Sequence, residues 1–224
     1  MMLQQRRPEP ELMDDPAQAK AYAEADFSAP HEHFVALFGD RLGSVNPRYV
    51  LDLGCGPGDI CRRFARRFPA CEVHGIDGAP AMLAAGARLL QVAPEAARIQ
   101  LLLRRLPDEA PPRVHYDTLI SNSLLHHLAD PRVLWQAVAR FSAPGAAVFV
   151  MDLLRPESEE AAARLVETYA ANAPEILRRD FYHSLCAAYR PDEVEAQIAH
   201  AGLTGLAVEI TSDRHWIASG ILQV

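Results

Sequence analysis

Residues 51–59 read LDLGCGPGD: an apolar run that carries Asp52, then three glycines at alternate positions, Gly54, Gly56 and Gly58. A strand that delivers a glycine-rich turn and then a helix builds a cradle for an anion or a nucleotide. The helix N-terminus presents unpaired N–H groups and the positive end of its dipole. Glycine lets the backbone pass close to a ligand with φ values that other residues avoid. The spacing here is G-x-G-x-G, which differs from the G-x-G-x-x-G dinucleotide fingerprint, and no Walker lysine follows. A second residue fits the same site. Asp77 ends the next apolar run, CEVHGID, 19 positions after Gly58, where an acid can accept hydrogen bonds from both hydroxyls of a ribose.

Working outward from the loop, strand-like and helix-like stretches alternate, which argues for an α/β sheet of mostly parallel strands. RYVLDLG is the first strand, continuously apolar as a strand covered on both faces should be. DICRRFARRF follows as a helix with Ile60, Phe64, Ala65 and Phe68 on one face. CEVHGID, RIQLLL, VHYDTLISNS and GAAVFVMDL supply four more strands, with helices over APAMLAAGARLLQVA and PRVLWQAVARFS. Upstream, 17–44 reads as helical. From 156 to 201 no strand signal appears and three or four helices are expected, before TGLAVEIT and HWIASGILQV close the chain as a hairpin. The expected organisation is an N-terminal helical cap over 1–44 and one domain over 45–224 with a helical insert at about 156–201.

Bulk composition narrows the function classes. The chain has 224 residues, half of them hydrophobic, and a net charge of −7 with one lysine, Lys20. No stretch nears the roughly 18 apolar residues of a membrane span, and the polar lead-in MMLQQRRPEPELMDDP reads as frayed chain rather than a secretory signal. An acidic domain without a basic stripe argues against nucleic-acid binding. Cys55, Cys61, Cys71 and Cys186 form no CxxC pair and no metal spacing, so reduced thiols and a cytoplasmic location are expected. No nucleic acid, membrane or metal is expected as partner. A metal set of His31, His183, Asp213 and His215 has no ligand spacing behind it.

VLDLGCGPGD, VHGIDGAPAML, DTLISNSLLHHLADP and GAAVFVMD, taken together and in this order, resemble the successive motifs of class I S-adenosylmethionine-dependent methyltransferases. The resemblance covers roughly 48–152, and LAVEI and HWIASGIL match the family's closing hairpin. It implies a Rossmann-like, seven-stranded, mostly parallel sheet with helices on both faces, an antiparallel last strand and an N-terminal helical lid. It also implies S-adenosylmethionine as cofactor and S-adenosylhomocysteine as product. On that basis Gly54, Gly56 and Gly58 would line the methionine part, and Asp52 would fix the loop or reach the amino group. Asp77 would bind the ribose, Gly78 and Met82 would approach the adenine, and Asn122 would contact the methionyl portion. Leu103, Arg104 and Arg105 stand where relatives carry an acid for the adenine amino group, so either the backbone or Asp108 must do that job. Replacing Gly56 by valine is expected to abolish cofactor binding through a clash with the loop path.

Cofactor motifs do not name the acceptor. Methyl transfer from a sulfonium needs alignment and exclusion of water, and a base only where the nucleophile must lose a proton. Four groups are candidates. Tyr22, Phe27 and His31 would roof the pocket or be core packing. His126 and His127 follow the fourth strand, where a base would stand, or one is structural. Arg178, Arg179, Asp180, Phe181, Tyr182 and His183 crowd the insert, an arginine such as Arg179 able to hold a carboxylate or phosphate and Tyr182 and His183 to serve catalysis; a plain amphipathic helix with Leu177, Phe181, Leu185 and Ala188 on one face explains that stretch equally. Asp213 and His215 make an Asp-x-His pair at the last turn, or a turn cap. The expected function is transfer of a methyl group to O or N of a small-molecule acceptor by a monomer or homodimer. The alternatives are a protein methyltransferase and a catalytically silent cofactor-binding regulatory or scaffold protein.

Overall fold

β1 (Tyr49–Leu53) lies at the centre of the sheet, and its alternation sets the two layers around it. In the computed structural model, which describes residues 3, 5–9, 12 and 14–223, Val50 faces one layer while Leu51 and Leu53 face the other. The strand is covered on both sides, so its run is apolar rather than alternating with polar residues. The remaining strands are β2 (Glu72–Asp77), β3 (Ile99–Leu103), β4 (Tyr116–Asn122), β5 (Ser142–Leu153), β6 (Leu206–Ile210) and β7 (His215–Ile221). Their order across the sheet is β3-β2-β1-β4-β5-β7-β6. β1 pairs in parallel with β2 and β4, and β7 runs antiparallel to both of its neighbours. The seven-stranded Rossmann-like sheet with an antiparallel closing strand is therefore as the sequence implies. The chain leaves β1 toward β2 on one side and later returns to β4 on the other. That makes the carboxyl end of β1 the topological switch point, where open α/β sheets bind ligands.

The helices are α1 (Pro16–Glu24), α2 (Ser28–Leu42), α3 (Asp59–Arg67), α4 (Pro80–Leu90), α5 (Arg132–Phe141), α6 (Glu159–Ala170), α7 (Glu175–Ala187) and α8 (Pro191–His200). Local chemistry explains their starts. The Asp15 carboxylate accepts from the N–H groups of Ala17 and Gln18 at 2.9 Å ahead of Pro16, and Ser158 accepts from Ala161 at the start of α6. One core layer joins Leu51, Leu119, Trp135, Val148 and Trp216 under α5 and α8. The other joins Phe34, Phe38, Val50, Phe64 and Phe149 under α2 and α3. Phe38 meets the edges of Phe64 and Phe149 with ring centroids 4.8 and 5.7 Å apart.

Two expectations are refined here. The 1–44 stretch is not a separate cap, because α2 buries Phe34 and Phe38 in the main core, while α1, packed on α4, and the first turn of α2 border the ligand side. The 156–201 insert also divides. α6 and α7 pack on each other over the β5 end, whereas α8 belongs to the sheet layer through Val194 and Ile198.

The polar lead-in is corrected more sharply. Leu3 is 2% exposed in the α6–α7 cluster. The Arg6 guanidinium donates to the carbonyls of Ala187, His126 and Leu128 at 2.6 to 2.9 Å and stacks over Tyr189. Three carbonyls pointing at one cation hold this segment down despite its polarity. The parts of the lead-in at 1, 2, 4, 10, 11 and 13 lie outside the described residues. Among the described residues no helix is long and apolar enough to cross a membrane, and all four cysteines are free and buried.

Candidate active site

The carboxyl ends of β1, β2 and β4 open on a cavity of about 820 Å³, and the loop after β1 forms its floor. Gly54, Gly56 and Gly58 have φ of +72°, +53° and +77°, the left-handed region that side chains avoid. A Cβ on Gly54 would meet Leu124 at 2.7 Å, and one on Gly58 would meet Leu101 at 2.8 Å. A Cβ on Gly56 would meet nothing within 4 Å. The outer two glycines therefore answer to packing inside the protein. The middle one leaves room for whatever enters the cavity, while its left-handed φ of +53° strains any side chain placed there.

Asp77 ties this loop to the next. One carboxylate oxygen accepts the Gly56 N–H at 2.8 Å and the other accepts the Ala79 N–H at 2.8 Å. Each oxygen keeps a lone pair for a further donor, which fits a sugar diol. Burial pushes the Asp77 carboxyl up, and the backbone N–H groups of Ala79, Gly56 and Gly78 oppose it. Asp52 is more deeply buried and accepts a hydrogen bond from the Cys61 thiol at 3.1 Å. Burial takes its pKa up to about 7, a rise the thiol opposes and the charge of Asp77 reinforces. Gly78, Met82 and Asn122 line the same cavity. Arg104, Arg105 and Leu106 line it beside Gly78 and Met82, whereas Asp108 is exposed and does not line it, so that alternative for the adenine falls.

An aromatic ladder forms one wall. Tyr22 and Phe27 stack with centroids 4.6 Å apart, and Phe27 and His31 follow at 5.5 Å. His31 Nδ1 pairs with Asp59 Oδ2 at 2.8 Å, and Arg63 Nε donates to the same oxygen at 2.6 Å. Burial works against the Asp59 charge, but His31 and Arg63 outweigh it and bring the pKa down to about 2. Burial, with Asp77 and Asp59 nearby, lifts the Tyr22 phenol to about 12, so it stays a hydrogen-bond donor.

At the other end stand His126 and His127. His126 Nδ1–H donates to Asp152 Oδ1 at 2.5 Å, and the second Asp152 oxygen accepts the Leu125 N–H at 2.7 Å. Burial disfavours the imidazolium, but Asp152 outweighs that and holds the His126 pKa above its ordinary value, with Asp152 below its own. The N-terminal segment brings Glu9 into the same cluster. Its Oε1 lies 3.5 Å from His126 Nε2, 3.2 Å from His127 Nδ1 and 3.0 Å from the Ser184 hydroxyl, which donates to it.

The insert contributes one helical face. Leu177, Asp180, Phe181 and Ser184 of α7 line the cavity, at the three- and four-residue spacing that shares a face. Arg179, Tyr182 and His183 fall off that face. Arg179 is exposed and paired with Asp180, Tyr182 packs in the α6–α7 cluster, and His183 is exposed, so the structure removes these three from the cavity. The last turn is also rearranged. The Tyr169 hydroxyl donates to Asp213 and the Arg214 guanidinium covers the Tyr169 ring at 3.3 Å, while His215 Nδ1 pairs with Ser212 Oγ at 3.1 Å. Asp213 therefore does not orient His215. His215 does line the cavity, neutral because burial, with Arg214 adding, takes its pKa down to about 4. His31, His183, Asp213 and His215 are not brought together. Glu9, Arg6, Asp152 and Tyr169 were not singled out by the sequence reading. Asp152 at the end of an apolar strand was the only one with a local signal.

Residues 51–148 match the family described as a methyltransferase domain. The chain is 34% identical over 134 residues to trans-aconitate 2-methyltransferase of Methylobacterium nodulans, covering 60% of this chain and 48% of that one. It thus spans about half the length of that relative. It is 28% identical over 190 residues to the ubiquinone biosynthesis O-methyltransferase of Acinetobacter baumannii, covering 81% and 76%. Among solved structures, a SAM dependent methyltransferase from Aquifex aeolicus superposes with a TM-score of 0.69 at 16% identity, covering 93% and 98%. The plantazolicin methyltransferase in complex with SAH superposes with a TM-score of 0.71 at 14% identity, covering 94% and 91%.

Proposed function

We propose that this chain is a class I S-adenosylmethionine-dependent methyltransferase, a reading that its methyltransferase-domain match and its fold support, and that it moves a methyl group to an oxygen or nitrogen of a small-molecule acceptor. The observation behind this reading is that one cavity holds both halves of the task. The glycine loop and Asp77 stand at one end, the histidine cluster at the other, and α1 and α7 roof the space between. A volume of about 820 Å³ sits in the upper part of the roughly 300–1,000 Å³ range of ligand pockets. That leaves space for an acceptor beside a nucleoside cofactor. A roofed cavity favours a small acceptor over a protein side chain, and the intact loop and Asp77 argue against a silent scaffold.

Bound S-adenosylmethionine supplies the methyl group as an activated sulfonium electrophile. The protein's own part is alignment and the exclusion of water. Gly56 admits the ligand to the loop, Asp77 holds the ribose hydroxyls, Met82 and Gly78 border the base, and Asn122 borders the methionyl tail. Tyr22, Phe27 and Phe181 close the apolar wall around the reacting carbon. His126, His127 and Glu9 make the polar end, where the nucleophilic atom of the acceptor is held and its proton leaves. A panel of hydroxylated, carboxylated and amino metabolites, incubated with methyl-labelled cofactor, tests the proposal. Label transfer to a small molecule supports it. Transfer only to added protein would replace it with the protein-acceptor reading.

A further inference from the structure

We propose that Glu9, His126 and His127 form a site for one divalent transition cation of the zinc class, its open coordination position directed to an acceptor oxygen. Among the described residues, these three form the one group whose ligand atoms converge, all within 4.8 Å of one another. The donor set, two imidazoles and a carboxylate, is that of catalytic zinc sites, which keep the fourth position for water or substrate.

The distances favour a cation over plain ion pairs. Glu9 Oε1 lies 3.2 Å from His127 Nδ1 and 3.5 Å from His126 Nε2. Charge-assisted N–H···O bonds run shorter, about 2.7–2.9 Å. In a tetrahedral site with metal–ligand bonds of about 2.0–2.1 Å, neighbouring donor atoms stand roughly 3.3–3.4 Å apart, which matches the two contacts. A second observation concerns the other ring nitrogen of His126. Its Nδ1–H is held by Asp152 at 2.5 Å, and Asp152 is itself fixed by the Leu125 N–H. That carboxylate–histidine arrangement fixes the ring with Nε2 on the Glu9 side and is the outer support that metal-bound histidines ordinarily have. Both histidines line the cavity, so a cation here is reached from the acceptor side.

The nature of the acceptor rests on the methyl-transfer reading, whereas the cation site does not. A hydroxyl bound to the cation gives its proton to bulk water and keeps the electron pair. That pair forms the new bond to the methyl carbon as the carbon–sulfur pair returns to sulfur.

Cobalt(II) is the probe, since a four-coordinate nitrogen–oxygen site gives it an intense visible band. The full chain, stripped with a chelator, is titrated with cobalt and then with zinc, beside Glu9→Gln, His127→Ala and the exposed control His183→Ala. Expected are one cobalt per chain, displacement by zinc, and wild-type behaviour in His183→Ala. Glu9→Gln and His127→Ala should each lose affinity by more than the roughly 10–100-fold that removal of an outer support costs. Failure of the wild type to develop the band, or binding that survives both substitutions, overturns the site. S-Adenosylhomocysteine titrated into the same samples separates the two claims, because its binding depends on Asp77 and not on Glu9.

Discussion

Single residues around the loop carry distinct loads, and two of them give tests. Asp52 is buried with a pKa of about 7, against 3.8 for the ordinary carboxyl. The folded state thus keeps its proton where the unfolded chain has lost it, so stability is lost as pH rises from about 4 to about 7. Three units correspond to roughly 4 kcal/mol as an order of magnitude. Urea unfolding at pH 5 and pH 8 should show wild type falling relative to Asp52→Asn by roughly 2–3 kcal/mol, the part of that loss lying above pH 5; parallel curves would remove the carboxyl from this role. The glycines separate in the same way. Gly56→Ala should cost about 1–2 kcal/mol of stability for its left-handed φ, keep its fold, and lose cofactor affinity. Gly54→Ala should be the more destabilised, since its Cβ runs into Leu124. Thermal melts with and without S-adenosylhomocysteine distinguish the two.

Elements decide how much of this was legible in advance. The β1 loop, the Asp77 strand end and the succession of strands along the chain are written locally, in apolar runs punctuated by glycine, and all appear where the spacing placed them. The ladder on α1 and α2 was legible as a cluster of aromatics, and Phe27 gives its test. Removing that ring should weaken S-adenosylhomocysteine by about 0.5–1.5 kcal/mol, the worth of an aromatic contact, with little change in fold because Phe27 sits outside the buried core clusters. Unchanged affinity would return the ladder to packing alone. The face of α7 was legible in part: Leu177 and Phe181 read as one side of an amphipathic helix, but not as the side turned to the cavity. Arg179, Tyr182 and His183 carry more chemistry as letters than Leu177, Phe181 and Ser184, yet helical rotation gives the second set to the cavity. Which face a helix turns inward depends on its neighbours, and α7 is oriented by α6 and by Leu3, far away in sequence.

At the scale of the whole molecule, the N-terminal segment is what local reading misses most. Its contacts join residues more than a hundred positions apart: Arg6 with Ala187, His126 and Leu128, and Glu9 with Ser184 and the histidines. Nothing in its polar composition signals this, because the partners of Arg6 are backbone carbonyls and those of Glu9 are side chains distant in sequence. Arg6→Ala should therefore release the segment, with a loss of roughly 1.5–3 kcal/mol per charged hydrogen bond at most. Faster amide exchange at the start of the chain and at Ala187–Ala188, read by mass spectrometry, is the expected signature. Exchange as slow as wild type would mean that the segment's other contacts, those of Leu3, Arg7 and Glu9, anchor it without Arg6.

The central claim is that the loop after β1 and the carboxylate after β2 together hold a sulfonium nucleoside. Calorimetric titration of S-adenosylhomocysteine into the wild type and Asp77→Ala tests it most directly. One site per chain is predicted, with affinity about 1–3 kcal/mol weaker when the charge-assisted bonds of Asp77 are removed. No heat of binding in the wild type, or an affinity untouched by the substitution, would contradict it.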